Sequence, residues 1–219
     1  MALSLYLMDR LPPSMERLSG RAIDVRLFGA ICYFMRYFYL ISAQAFHGRV
    51  APALSACWRQ RSFKPLSVCG IATTLTPDTP FRRDVWRVTV GETLLSCAFE
   101  LPQLETPVES FAQLTHQPLA DERHGFSLIQ QAIFGSHDLS LSGYYRPEHA
   151  GWNNTADVRR LTIWLESVKP ENWSPADLAR ATLEERLDEL EFAREWFPEL
   201  VAMYRRADRN DCVIVSESV

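Results

Sequence analysis

Hydrophobic and polar positions alternate cleanly over residues 22–28 (AIDVRLF), with Ile23, Val25 and Leu27 on one side, and this predicts a strand that Gly29 ends. Before it, residues 11–18 (LPPSMERL) read as a turn and a short helix with Ser14 as cap. From Gly29 to about Arg61 the pattern predicts helix. Tyr33, Phe34, Tyr37 and Phe38 recur at helical spacing, and Gly48 and Pro52 divide the run into at least two pieces. Residues 66–75 (LSVCGIATTL) and 85–90 (VWRVTV) read as strands on either side of the turn TPDTPFRRD. Residues 94–99 fit either a strand or the start of a helix, ended by Pro102 and Pro107.

Further on, residues 111–123 give little signal, residues 126–134 (FSLIQQAIF) read as a strand, and residues 146–157 (RPEHAGWNNTAD) as a loop. Residues 160–165 (RLTIWL) alternate Leu161, Ile163 and Leu165 and predict another strand. The start signal Ser174-Pro175-Ala176-Asp177 then opens a helix with Leu183, Leu187, Leu190 and Phe197 on one stripe. Glu184, Glu185, Asp188, Glu189 and Glu191 surround that stripe, and Pro198 ends or kinks it. Arg205 and Arg206 suit the last turn of a following helix, and residues 212–215 form a last short strand. Helices and strands mixed without strict βαβ alternation predict an α+β fold, ferredoxin-like (RRM-type), with helical insertions and a C-terminal helical segment. Residues 1–100 and 101–219 divide as a basic and an acidic half, either as two units or as one continuous domain.

Composition sharpens that division. Only Lys64 and Lys169 are lysines; the other 21 basic side chains are arginines. Residues 1–100 hold 12 basic and 7 acidic side chains, residues 101–219 hold 11 basic and 20 acidic. A basic half rich in guanidinium groups and aromatic rings is the footprint of an RNA-binding face, since planar guanidinium forks bind phosphate bidentately and stack on bases. A GC-rich genome, which encodes arginine in preference to lysine, is the other source of such a composition. Arg26, Arg49, Arg59, Arg61, Lys64, Arg82, Arg83 and Arg87 are the candidate phosphate contacts, with a solvated charged face as the alternative. Cys32, Cys57, Cys69, Cys97 and Cys212 are odd in number and form no CxxC pair, which predicts reduced thiols in a cytoplasmic protein and neither a disulfide framework nor a zinc site. MALSLYLMDR lacks a basic leading region and is too brief for a signal peptide. The apolar run 27–45 carries Arg36 at its middle, at a cost of about 2.5 kcal/mol or more in a bilayer, so no membrane is implied.

Three stretches then act together: Phe46-His47-Gly48, residues 64–71 (KPLSVCGI) and residues 85–90 (VWRVTV). Their order and spacing resemble the CRISPR-associated endoribonucleases that cut precursor CRISPR RNA into guides, over about a quarter of the chain. In that family a Leu-His-Gly-like step leads through a basic linker to two strands of this kind. The glycine-rich loop that usually closes family members is absent from this sequence, and only 9 glycines occur in it. A divergent branch, such as the processing subunit of a type IV system, accounts for that difference.

The resemblance implies cleavage without metal or cofactor. The ribose 2′-hydroxyl attacks the adjacent phosphate, which requires a general base, a general acid and cations on the phosphorane. His47 is the candidate base or acid, with a structural histidine near a helix end as the plain alternative. Arg36 either reaches a phosphate, as a second catalytic candidate, or snorkels from the core. His116, His124, His137 and His149 read as surface loop residues, and Tyr33, Tyr37 and Tyr39 as core. The implied partners are the hairpin of a CRISPR repeat, read by phosphate and shape, and other effector subunits.

A second resemblance is to chorismate pyruvate-lyase, on residues 14–18 (SMERL), 20–25 (GRAIDV), 91–102 and 114–119 (LTHQPL). There Arg87 would hold a substrate carboxylate, with Met15 and Leu119 lining the pocket. The arginine pair and the closing glutamate segment of that family are missing. A non-catalytic RNA-binding subunit of a ribonucleoprotein is the third reading.

Overall fold

A central strand buried on both faces reads as a continuous apolar run, and MRYFYLIS is one. In the computed structural model, which describes residues 35–68, 97–102, 107–119, 125–138 and 149–218, it forms strand β1 (Met35–Ser42). This corrects the helix expected there. Of the aromatic residues that suggested helical spacing, Tyr37 and Phe38 instead point to opposite faces, Phe38 with Leu40 toward one and Tyr37 with Tyr39 and Ile41 toward the other, while Tyr33 and Phe34 lie outside the described residues. Helix α1 (Ala43–Ala45) follows, capped by the Ser42 hydroxyl, and runs through one π-helical turn (Phe46–Val50) into α2 (Ala51–Gln60). Helix α3 (Lys64–Val68) occupies the first part of a predicted strand.

Next come β2 (Cys97–Pro102), α4 (Pro107–Leu114), α5 (Leu128–Phe134), β3 (His137–Asp138), β4 (His149–Asn153) and α6 (Thr155–Ser167). Single 3₁₀ turns at Pro170–Asn172 and Pro175–Asp177 lead to α7 (Leu183–Arg209) and β5 (Cys212–Ser218). The five strands are antiparallel in the order β2-β1-β5-β4-β3, so β5 is the central strand. The architecture is α+β. Residues 35–219 make one compact unit, and β2 crosses residue 100, so β1 and β2 belong to the same sheet as β3 to β5.

Several expected elements change type for local reasons. Residues 160–165 belong to α6, where Val158, Leu161, Thr162 and Leu165 are buried at helical spacing and Ile163, read as a strand position, is 66% exposed. Residues 128–134 are helix because Ser127 and Gln130 form an N-terminal box, the Gln130 carboxamide oxygen accepting from the Ser127 backbone N–H at 3.1 Å. The predicted loop 146–157 contains β4 and the start of α6. The Ser174 signal caps only a 3₁₀ turn; the long helix starts later, where Thr182 and Glu185 cap it reciprocally. Those contacts from Thr182 hold the Glu185 carboxyl below its usual range. Pro198 lies within α7 and does not end it, and Leu183 and Leu187 are exposed while Leu190 and Phe197 are buried. The last strand is where it was expected, extended to Ser218.

Helices cover both faces of the sheet. Phe38, Leu101 and Ile214 face a core built by α4 to α7, with Phe111, Ile129, Leu161, Phe197 and Leu200 at its centre. Tyr39, Ile41, Val213 and Val215 face the smaller layer of α1 to α3, with Phe46, Leu54, Phe63 and Leu66. Each such side chain fully removed from water contributes about 1.5–3 kcal/mol, and these contacts hold the layers on the sheet.

Polar groups lock α5 against β4. The buried Asn153 amide donates to the Gln131 carbonyl and to the Tyr204 hydroxyl, both at 2.9 Å, and its oxygen accepts from the Ser136 backbone N–H. Tyr204 in turn donates to the Ala132 carbonyl, and burial pushes its phenol above its usual range. Backbone meets backbone at Gly135, which has φ +94°, and Gly151: a Cβ on Gly151 would collide with the Phe134 carbonyl oxygen. No helix among the described residues is long and apolar enough to cross a membrane.

Candidate functional site

Strand register brings two histidines to one tryptophan. Trp152 lies opposite Val215 on one side and opposite His137 on the other, and directly paired residues project to the same face. That face carries α1 to α3. The buried Phe46 packs against the Trp152 ring at 4.9 Å between centroids, and His47, exposed one residue later, meets the indole edge at 5.7 Å. His137 leans on the same indole at 4.9 Å. A single-turn π-helix, of the sort that often marks functional sites, carries His47 and Gly48 out of the helix axis.

The head of α6 completes the site. Asn154 is its N-cap, and its side-chain oxygen accepts from the Asp157 backbone N–H at 2.9 Å. That contact turns the Asn154 NH₂ toward His137 Nε2, at 3.0 Å. The Asp157 carboxylate reaches the same Nε2 at 2.8 Å, and its other oxygen accepts from Arg160 at 3.0 Å. Arg160 also donates to Gln131 on α5. His137 Nε2 therefore has an acceptor and a donor in reach. As Nε2–H it donates to Asp157, and Nδ1 is then the lone pair; a bare Nε2 would set its own lone pair against the carboxylate oxygen. His137 keeps 43% of its side chain exposed while Asp157 keeps 16%, so the carboxylate is held in the wall and the imidazole stands at the surface.

The candidates read from sequence are divided by the sheet. Arg36 is on the opposite face from His47, only 2% exposed. Its guanidinium lies 4.7 Å from the centre of the Phe134 ring and donates to the Ser216 hydroxyl, which donates to the Ile133 carbonyl. Burial lowers its pKa to about 9, against a smaller opposing pull from Glu217. It remains a cation at neutral pH, seated in the core, and the expectation that it reaches a phosphate is corrected. Its Nε has no hydrogen-bond partner. Tyr39 is core, as expected.

Arg49, Arg59, Arg61 and Lys64 are exposed along the α1–α3 layer, on the same side of the sheet as His47. Arg26, Arg82, Arg83 and Arg87 lie outside the described residues, as do Tyr33, the predicted strands 22–28 and 85–90, and Met15 of the lyase reading. Leu119, its other pocket residue, is 48% exposed. The pattern passed over His137, Asn154, Trp152, Asp157 and Arg160. Their signal was an Asn154-x-x-Asp157 helix start, hidden in a segment read as loop.

No family model and no curated protein matches the chain. Among solved structures, YfbM from Escherichia coli, a protein of unknown function, aligns over 84% of this chain and 99% of its own, at 13% identity and a TM-score of 0.47.

Proposed function

We propose that the chain is a metal-independent endoribonuclease that cleaves a structured RNA by attack of a 2′-hydroxyl on the adjacent phosphate. The observation that carries the reading is the pair of imidazoles, His47 and His137, set on one indole, with His137 backed by Asp157. His137, with Nε2–H turned to Asp157, takes the 2′-hydroxyl proton at Nδ1 as the O2′–P bond forms. His47 gives a proton to the departing 5′-oxygen as the P–O5′ bond breaks, leaving a 2′,3′-cyclic phosphate and a 5′-hydroxyl. Arg49, two residues from His47, supplies positive charge to the phosphorane. The substrate in this proposal, the repeat hairpin of precursor CRISPR RNA with the mature guide retained by effector subunits in the cytoplasm, rests on the sequence resemblance alone; of its three stretches, residues 64–68 form helix α3 in place of a strand and residues 85–90 lie outside the described residues.

The ferredoxin-like refinement of the fold is drawn only from the chain order β-α-β-β-α-β followed from β2 to β5; the sheet order departs from it, because β4 and β5 pair directly and antiparallel. Strand β1 is interposed between β2 and β5, and helices lie on both faces, so the proposal places RNA at the Trp152 edge and the basic α1–α3 layer rather than on an open sheet.

Incubation with a labelled repeat hairpin in EDTA is expected to yield the cyclic-phosphate product. Asp157→Asn should slow that reaction at least about 10-fold with hairpin affinity retained. Retention of the hairpin without cutting would support the non-catalytic subunit, and 4-hydroxybenzoate formed from chorismate would support the lyase. Arg61 has φ +47°, a left-handed conformation that costs a non-glycine residue about 1 kcal/mol. Arg61→Gly is therefore expected to raise the thermal midpoint while weakening hairpin binding and flattening its salt dependence, read by titration at several ionic strengths.

A further inference from the structure

We infer that Gln131 is the positioning residue of the His137–Asp157 pair; its consequence for the reaction rests on the ribonuclease reading above. Gln131 stands on α5, and its carboxamide oxygen accepts from Arg160 at 2.6 Å and from the Ser136 hydroxyl at 3.3 Å. Those two contacts reach the pair from its two ends. Arg160 donates to one Asp157 oxygen at 3.0 Å, and the other oxygen is the one that meets His137 Nε2 at 2.8 Å. Ser136 precedes His137 in the chain, and its backbone N–H donates to the Asn153 side chain at 2.8 Å. One carboxamide thus sets both the carboxylate and the start of the segment that carries the imidazole.

Arg160 needs that second contact. It lies three residues from Asp157 on α6 and is 45% exposed, and an ion pair of this kind left to itself holds a carboxylate only loosely. Gln131 can supply the contact because it is itself held. Its backbone N–H donates to the Ser127 carbonyl at 2.8 Å, and its carbonyl accepts from the Gly135 N–H and the Asn153 amide, both at 2.9 Å. Its side-chain NH₂ donates to the Phe126 carbonyl at 2.5 Å. A guanidinium can only donate and a backbone carbonyl can only accept, so this side chain must offer an oxygen to one and an N–H to the other. Methionine has the length and offers neither; glutamate would set a second oxygen against the Phe126 carbonyl.

The test is the place of the His137 ring over Trp152, whose centroids lie 4.9 Å apart. It is read by proton magnetic resonance of the full chain, as the displacement of the imidazole carbon-bound proton signals by the indole ring current, assigned by their loss in His137→Ala. Gln131→Met and Arg160→Met are each expected to move those signals at least halfway to their free-imidazole positions. The double variant should go no further, because both residues act along one path. Arg159→Met, which breaks the exposed pair with Asp208 one residue away, should leave them in place. Unmoved signals in Arg160→Met, a change at the surface of α6, overturn the inference. So do unmoved signals in a Gln131→Met protein that keeps the wild-type thermal midpoint. Hairpin cleavage by the same proteins tests the ribonuclease separately: single-turnover rates are expected to fall about 10-fold or more in both variants, with hairpin affinity within about 3-fold. Unmoved signals with normal cleavage remove Gln131 and leave the ribonuclease standing. Moved signals in a set of proteins that cut no RNA, wild type included, remove the ribonuclease and keep Gln131 as the anchor of the pair. Moved signals with undiminished cleavage keep the anchor and take His137 out of the reaction.

Discussion

His137→Ala is expected to slow hairpin cleavage in EDTA by about 100-fold or more while changing hairpin affinity little, the range that loss of a positioned acid or base produces. The reason lies in the geometry at Nε2, where Asp157 accepts at 2.8 Å and leaves Nδ1 as the open nitrogen. A side chain that merely filled space would not need that arrangement. The decisive comparison is the single-turnover rate of the two proteins on the same hairpin. A His137→Ala protein that cuts at the wild-type rate removes this residue from the reaction and with it the proposed mechanism. His47→Ala should cost a comparable factor.

The largest effect on stability is expected from Gly151→Ala. The added carbon would overlap the Phe134 carbonyl oxygen, and neither group is a side chain that can rotate away. Strand β4 or the end of α5 must then shift, which breaks the Asn153 contacts that tie them together. We expect a loss of about 3 kcal/mol or more, seen as a lower thermal midpoint or as insoluble protein. Gly48→Ala is the matched control, because its new carbon meets open space; stability should hold or rise by up to about 1 kcal/mol. A Gly151→Ala protein with the wild-type midpoint would show that the close approach of α5 to β4 is relaxed in solution.

The α+β class and the last strand were legible in the sequence, and so was helix over residues 43–60, whereas α3 was read as strand. The errors have specific physical sources. Strand β1 carries apolar groups on both faces because helices cover both, and such a run looks the same in a strand and in a buried helix. In α6 the alternation of Leu161, Ile163 and Leu165 concealed a helical face that Val158 and Thr162 complete. Gln130, three residues after Ser127, was a readable start signal for α5. His137 was passed over because its partners come from sequence positions 152, 154 and 157, joined to it only by strand pairing and a helix cap. Arg36 was drawn toward phosphate by its basic neighbours, whereas strand alternation sends it into the core opposite them.

Strand β5 follows every other strand in the chain and lies between β1 and β4. Among the described residues, the β1–β2 pair and the β3–β4 pair are joined as a sheet through β5. Until those seven residues dock, the polypeptide holds two separate ribbons with bare inner edges, each able to recruit a stranger's backbone. Closing the sheet thus requires an insertion that joins positions far apart in sequence, the class of contact that slows folding.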